Sequence, residues 1–246
     1  MKKLYDSIIF DVDGTLWDAT ETMARAYSAA SEEMSRKYRE KGIMLEPKTF
    51  TGEAIRRELG QPTIEIFHHL YPELEDLFAS VYGTNGPSRP CRTAESDEKA
   101  ETARKDIMDV SIVYEYDYLR RYGCHLYDRL RETLEVLGRE YPLFIVSNCE
   151  KGYIELFTGF SGTGELFTDW LCYGDTLEEK DRTIRIMMDR HRLEKPVYVG
   201  DILKDALSSR RAGVGFIWAS YGFGEVPPEL YDHRIETFAD LCALLC

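Results

Sequence analysis

Residues 8–16 read Ile-Ile-Phe-Asp-Val-Asp-Gly-Thr-Leu, a short apolar run that breaks into two aspartates one residue apart and then a glycine. Apolar, β-branched residues ending at Gly form a buried strand that enters a tight turn. Open α/β sheets bind ligands just beyond the carboxyl ends of such strands, so Asp11 and Asp13 stand where chemistry is usually done. Taken alone, the same letters also suit a calcium-type loop or an ordinary turn, since Asp and Gly are common turn residues. The remainder of the chain has to choose.

From Leu126 onward helix and strand alternate. Leu126, Leu130, Leu134 and Leu137 mark a helix, and Leu143-Phe144-Ile145-Val146 is a buried strand. A helix follows near 152–158, then the short run Trp170-Leu171-Cys172-Tyr173, then a helix carrying Ile184, Ile186, Met187 and Met188. Val197-Tyr198-Val199 and Phe216-Ile217-Trp218 are the next strands, with a helix over Leu203 to Arg211 between them and a closing helix near Phe238 to Leu245. This alternation specifies an α/β fold, a doubly wound parallel sheet. Between the first strand and this repeat lie about a hundred residues without a convincing strand. Ala24, Tyr27, Ala30, Met34 and Tyr38 recur at helical spacing until Gly42, further helices are expected over 53–59, 63–71 and 97–122, and Tyr82 to Pro90 is expected to be a loop. The expected organisation is an α/β core of residues 1–17 and 123–246 with an inserted helical segment of residues 18–122.

With 43% hydrophobic and 30% charged residues among 246, the chain has the composition of a folded domain. Its net charge of −13 opposes attraction to nucleic acid or an anionic membrane, so neither is expected as a partner. An anionic substrate would need a local island of positive potential. The six cysteines show no CxxC pair or metal-ligand spacing, which suits reduced thiols in a cytoplasmic protein. Neither a signal segment nor an eighteen-residue apolar run is read in the sequence.

Four further features fall at strand ends or at the helix after one. The strand over 143–146 ends in Ser147-Asn148, Lys180 precedes a helix, the strand over 197–199 ends in Gly200-Asp201, and Asp205 follows one helical turn later. Singly, each has an ordinary reading as an N-cap, a solvated lysine or a surface acid. Together, in this order, they resemble the haloacid dehalogenase-like hydrolase superfamily: an aspartate pair, a Ser or Thr, a Lys, and an acidic GDxxxD motif. The insertion after the first motif resembles the helical cap of its phosphoglycolate phosphatase-like and β-phosphoglucomutase-like members.

The resemblance implies a Mg2+-dependent phosphatase acting on a small phosphorylated metabolite. Asp11 would attack phosphorus to form an aspartyl-phosphate, and Asp13 would protonate the leaving alkoxide and then activate water. Mg2+ would be held by Asp11, by the backbone carbonyl of Asp13 and by Asp201, with Asp205 beside them orienting bound water or Lys180. Ser147 and Lys180 would hold phosphoryl oxygens, helped by the N–H groups of Gly14, Thr15 and Asn148. Such a reaction needs charge neutralisation and alignment more than a strong nucleophile, which explains the set of residue types.

In the insertion, Arg56 and Arg57 fall near the group's specificity loop and could meet an anionic leaving group, although a surface role beside Glu53 suits them better. His68-His69 with Glu65 lacks a third placed ligand for a metal. Trp17 replaces the usual small aliphatic and is expected to narrow the entrance. The second aspartate argues against carbon–halogen hydrolysis, and no apolar pocket around Lys37, Lys41 or Lys48 suggests a Schiff-base lysine. A hexose-phosphate mutase shares the core chemistry, and a catalytically silent binding module would be expected to have lost Asp11, Asp13, Lys180 or Asp201. Oligomeric state and the identity of the leaving group do not follow from the sequence.

Overall fold

Strand β1 (Ser7–Phe10) is buried along its whole length, as a strand covered by helices on both faces must be. In the computed structural model, which describes residues 4–85 and 90–246, it is joined by β2 (Leu143–Ser147), β3 (Asp169–Cys172), β4 (Pro196–Gly200), β5 (Gly215–Ala219) and β6 (His233–Ile235). All pairs are parallel, and the order across the sheet is β6-β5-β4-β1-β2-β3. The chain therefore runs outward from β1 through β2 and β3, then crosses back to β4 and runs outward on the other side. The reversal falls between β1 and β4, so the carboxyl ends of those two strands form the crevice where a doubly wound sheet binds its ligand.

Successive side chains of β1 point to opposite faces. Ile9 joins Phe144, Val146, Tyr198, Ile184 and Met187 in one core. Phe10, on the other face, packs edge-on to Phe167 at 6.2 Å and against Phe238 at 5.8 Å between ring centroids. Ile8, Ile9 and Phe10 have no exposed surface, and each contributes roughly 1.5–3 kcal/mol by leaving water. The longer helices of this unit are α6 (Leu130–Gly138), α7 (Tyr153–Ser161), α8 (Lys180–His191), α9 (Leu203–Ala212) and α10 (Asp240–Leu245).

The chain divides into two compact units. One holds Met1–Ala19, Leu59–Pro62 and Gly123–Cys246, and the other holds Thr20–Glu58 and Thr63–Tyr122. Residues 59–62, assigned to the insertion by sequence, thus pack with the core unit, where Asn148 Nδ2 donates to the Gly60 carbonyl at 2.9 Å and Lys204 Nζ donates to Gln61 Oε1 at 2.9 Å. Trp17-Asp18 also belongs there, paired antiparallel with His125-Leu126.

The second unit is built on α1 (Thr20–Glu40), α2 (Gly52–Glu58), α3 (Thr63–Leu70), α4 (Leu74–Tyr82) and α5 (Ala94–Tyr122). The expected stripe Ala24, Tyr27, Ala30, Met34 and Tyr38 is buried on α1. Tyr27 stacks obliquely on Phe67 and donates to the buried Glu115 at 2.7 Å, so the tyrosine satisfies a carboxylate that burial would otherwise penalise. Helix α4 and the strand β6 had no clear periodic signal in the sequence. On α5, Val113 is an apolar side chain left 67% exposed. Within the expected loop over 82–90, Tyr82 ends α4, and Thr84-Asn85 and Pro90-Cys91 form a short antiparallel pair; residues 86–89 lie outside the described residues.

Candidate active site

Asp11 leaves β1 at its carboxyl end, with its N–H donating to the Val199 carbonyl of β4 at 2.9 Å. This bond carries the sheet pairing one residue past β1 and sets Asp11 beside Gly200-Asp201. Lys180, the first residue of α8, is 3% exposed and donates from Nζ to Asp11 Oδ1 at 3.0 Å and to Asp205 Oδ1 at 2.6 Å. The other oxygen of Asp205 accepts the N–H groups of Asp201 and Ile202, each at 3.2 Å. Asp205 is therefore a helix-capping residue and a lysine anchor at once, with both oxygens occupied. Asp201 is fully buried; its Oδ2 accepts the Phe223 N–H at 2.7 Å, and its Oδ1 accepts the Thr15 hydroxyl at 3.4 Å.

Ligand oxygens of Asp11, Asp201 and Asp205 can lie within 4.8 Å of one another, the one such group of acids among the described residues. Three carboxylates facing one ammonium leave two negative charges in excess. Burial raises the Asp11 pKa to about 6 even against the attraction of Lys180. Burial, and then the charges of Asp205 and Asp11, drive Asp201 well above the ordinary carboxylate value. For Lys180, burial pulls the pKa down, but Asp11 and Asp205 outweigh it and hold the ammonium above the usual lysine value. Burial drives the two carboxyl shifts and the neighbouring buried carboxylates add to them and raise Lys180; a divalent cation bound through oxygen would compensate that charge. The donor set fits Mg2+.

Asp13 has a different surrounding. Its Oδ1 accepts both the Trp17 indole N–H at 2.9 Å and the Tyr153 hydroxyl at 2.8 Å. Burial lifts its pKa to about 7, against these two hydrogen bonds, so the carboxyl can be either donor or acceptor of a proton near neutrality. Trp17 is 1% exposed and packs edge-on to Tyr153 and Phe157. It is a wall of the core that holds Asp13, and the expectation that it narrows an entrance is corrected.

Gly14 and Thr15 also differ from expectation. Their N–H groups close the turn, donating to the carbonyls of Trp17 at 2.9 Å and Val12 at 3.2 Å, where they were expected to meet a phosphoryl oxygen. Gly14 has another purpose: at φ +79° a Cβ would lie 2.0 Å from Asp201 Oδ2. Gly222, on the loop after β5, is equally constrained, with Asp201 Cβ 2.3 Å from its own notional Cβ. Asp201 is thus seated between two glycines far apart in sequence. Gly14→Ala is expected to displace the Asp201 carboxylate and to cost roughly 1–3 kcal/mol through its left-handed backbone alone. A melting temperature unchanged from wild type would contradict that seating.

Ser147 ends β2 and is 5% exposed. Arg56 and Arg57 are exposed on α2, and Arg57 pairs with Glu53, the surface arrangement weighed from the sequence. His69 pairs with Glu58 at 2.6 Å and His68 with Glu101 at 3.7 Å, so the two histidines do not converge. Lys48 is held by the Leu70 carbonyl and Glu73. The participants that sequence reading missed are Tyr153, Gly222 and Phe223, and none carries a local motif.

A protein-family model described as haloacid dehalogenase-like hydrolase matches residues 8–219, and the chain belongs to that family. A 5'-nucleotidase of Pseudomonas aeruginosa is 25% identical over 98% of this chain and 94% of its own length. A phosphoglycolate phosphatase of Vibrio vulnificus is 24% identical over 90% of this chain and 86% of its own. Among solved structures, a predicted phosphoglycolate phosphatase from Haemophilus somnus superposes with a TM-score of 0.74 at 19% identity, covering 99% of both chains. No helix among the described residues is long and apolar enough to cross a membrane.

Proposed function

We propose that the protein is a Mg2+-dependent phosphatase that hydrolyses a small phosphomonoester through an aspartyl-phosphate on Asp11. The observation that carries this reading is the buried Lys180 bridging Asp11 and Asp205 at the carboxyl ends of β1 and β4. A positive charge fixed against a carboxylate nucleophile lets that carboxylate approach an anionic phosphoryl group. Helix α8 supplies the lysine, and Asp205 keeps it aimed without becoming a nucleophile itself.

In the first half-reaction an Asp11 oxygen forms a bond to phosphorus while the bond to the ester oxygen breaks, its electron pair leaving with that oxygen. Asp13 gives the departing oxygen a proton. In the second, water attacks the aspartyl-phosphate, Asp13 takes a proton from it, and inorganic phosphate leaves with Asp11 restored as carboxylate. Ser147 and the Asn148 N–H are suited by their position after β2 to hold phosphoryl oxygens. Carboxylate oxygens of Asp11 and Asp201 and the Asp13 carbonyl would hold Mg2+, while Asp205 positions Lys180. When bound, the ion would neutralise charge on the phosphoryl group and on the acids around it.

The activities named for the two relatives make nucleoside monophosphates and phosphoglycolate the first esters to assay. Release of inorganic phosphate from at least one of a panel including sugar phosphates is expected, dependent on Mg2+ and without a bisphosphate activator. Isomerised sugar phosphate without free phosphate would favour the mutase, and absence of both would favour a silent module. Asp201→Asn is expected to shift half-activation by Mg2+ upward by tenfold or more, or to abolish activity, because the ion binds few protein groups. A superimposable activation curve would remove Asp201 from the ligand set.

A further inference from the structure

We infer that Trp17 and Tyr153 are positioning residues that commit one oxygen of Asp13 to proton exchange and keep the other out of it. The inference rests on the phosphatase reading of Asp13. Both side chains donate to Oδ1, from two separate stretches of chain: Trp17 from the segment paired with His125-Leu126, Tyr153 from the first turn of α7. Their rings meet edge-on at 5.3 Å, and both are almost wholly buried, Trp17 at 1% and Tyr153 at 2%. The Trp17 ring is not free to turn away without opening its edge-on packing on Tyr153 and Phe157.

A carboxyl oxygen offers two lone pairs, and here both on Oδ1 are taken. The indole N–H can only donate, so a proton on Oδ1 could point only toward Tyr153, whose hydroxyl would then have to turn from donor to acceptor and give up its own bond to the carboxyl. The arrangement that keeps both hydrogen bonds as they stand puts the exchangeable proton on Oδ2. The same two hydrogen bonds suit the protonated and the ionised carboxyl, because Oδ1 acts as acceptor in each. Asp13 can then serve as acid in the first half-reaction and base in the second with no rearrangement of its surroundings, which is the benefit of preorganised donors.

The consequence is selective. An alkyl leaving group needs the Asp13 proton as its bond to phosphorus breaks, whereas p-nitrophenolate is stable enough to leave without one. Tyr153→Phe deletes a single oxygen and keeps the ring. It is expected to lower kcat/KM for 2-phosphoglycolate, or for the alkyl phosphate the wild type turns over best, by about tenfold while changing that for p-nitrophenyl phosphate by less than about threefold. Trp17→Phe is expected to behave in the same sense. In an Asp13→Asn background the Tyr153→Phe change should leave the ratio of the two kcat/KM values unaltered, since a residue acting through Asp13 has nothing left to position.

Equal losses for both esters would mean that Tyr153 supports the fold only, and so would a Tyr153→Phe effect that persists without Asp13; either overturns the inference, as does an unchanged ratio. Should Trp17→Phe fail to fold, as judged by circular dichroism, the comparison of Tyr153→Phe alone and on Asp13→Asn decides. If the wild type releases phosphate from no ester, the phosphatase reading itself fails and this inference with it, an outcome distinct from an active wild type with indifferent variants.

Discussion

Asp11→Asn is expected to reduce phosphate release by at least about 10⁴-fold, the scale on which loss of a covalent nucleophile is felt. The amide has the shape of the carboxyl and can still accept from Lys180, but it is not a competent nucleophile at phosphorus. The same variant makes a second, opposite prediction about stability. A carboxyl whose pKa is raised by folding weakens the fold at every pH above its unfolded value, because its ionised form is favoured in the unfolded chain. Asp11, raised to about 6 by burial against the pull of Lys180, is such a group. Without divalent metal at neutral pH, Asp11→Asn should therefore melt at or above the wild-type temperature while being inactive. Turnover near the wild-type rate by the purified variant would end the assignment of Asp11, and a large loss of melting temperature would show that inactivity came from misfolding.

Lys180→Ala is expected to lose on both counts. The ammonium is the cation bonded to both Asp11 and Asp205, and removing it leaves buried carboxylates facing each other. Loss of one partner from a buried pair costs about 3–5 kcal/mol, which for a chain of this size corresponds to a melting point lower by roughly 10 °C. Loss of a fixed charge that stabilises the transition state should lower kcat by about a hundredfold or more. Thermal melts and saturation kinetics on the same preparation separate the two effects. A variant within a factor of three of wild-type kcat would return Lys180 to a structural role.

These expectations were legible in the sequence to different degrees. The strand at Ile8-Ile9-Phe10 and its aspartates could be read because burial on both faces writes an unbroken apolar run, and a turn writes Gly after it. Lys180 and Asp205 were readable by order and spacing, and the resemblance left Asp205 to orient either bound water or Lys180; spacing could not give its bond to Lys180, which depends on α8 and α9 lying side by side over the sheet. The role given to Trp17 failed for a related reason: a large residue beside a motif can face a cleft or the core, and spacing does not distinguish them. Phe157 and Tyr153, 136 or more residues away in the chain, complete the pocket that takes it in. The N–H groups of Gly14 and Thr15 were assigned to a ligand because glycine turns often cradle phosphate, but here the turn uses them itself. Strand β6 escaped notice because three residues at the edge of a sheet carry too little periodicity.

The position of β1 in the middle of the sheet has a consequence for how the chain is made. Ile8 pairs with Leu143 on one side and with Val197 on the other, so the first strand synthesised acquires its last hydrogen-bonded neighbour only after about two hundred residues have left the ribosome. The helices over 20–58 and 63–122 can form their mutual contacts meanwhile, since those are nearer in sequence. Until β4 arrives, the segment that carries Asp11 presents a bare strand edge that is apolar at Ile8, Ile9 and Phe10, the kind of surface through which incomplete chains associate. The site and the vulnerable edge are the same stretch of backbone, and closing the one is what retires the other.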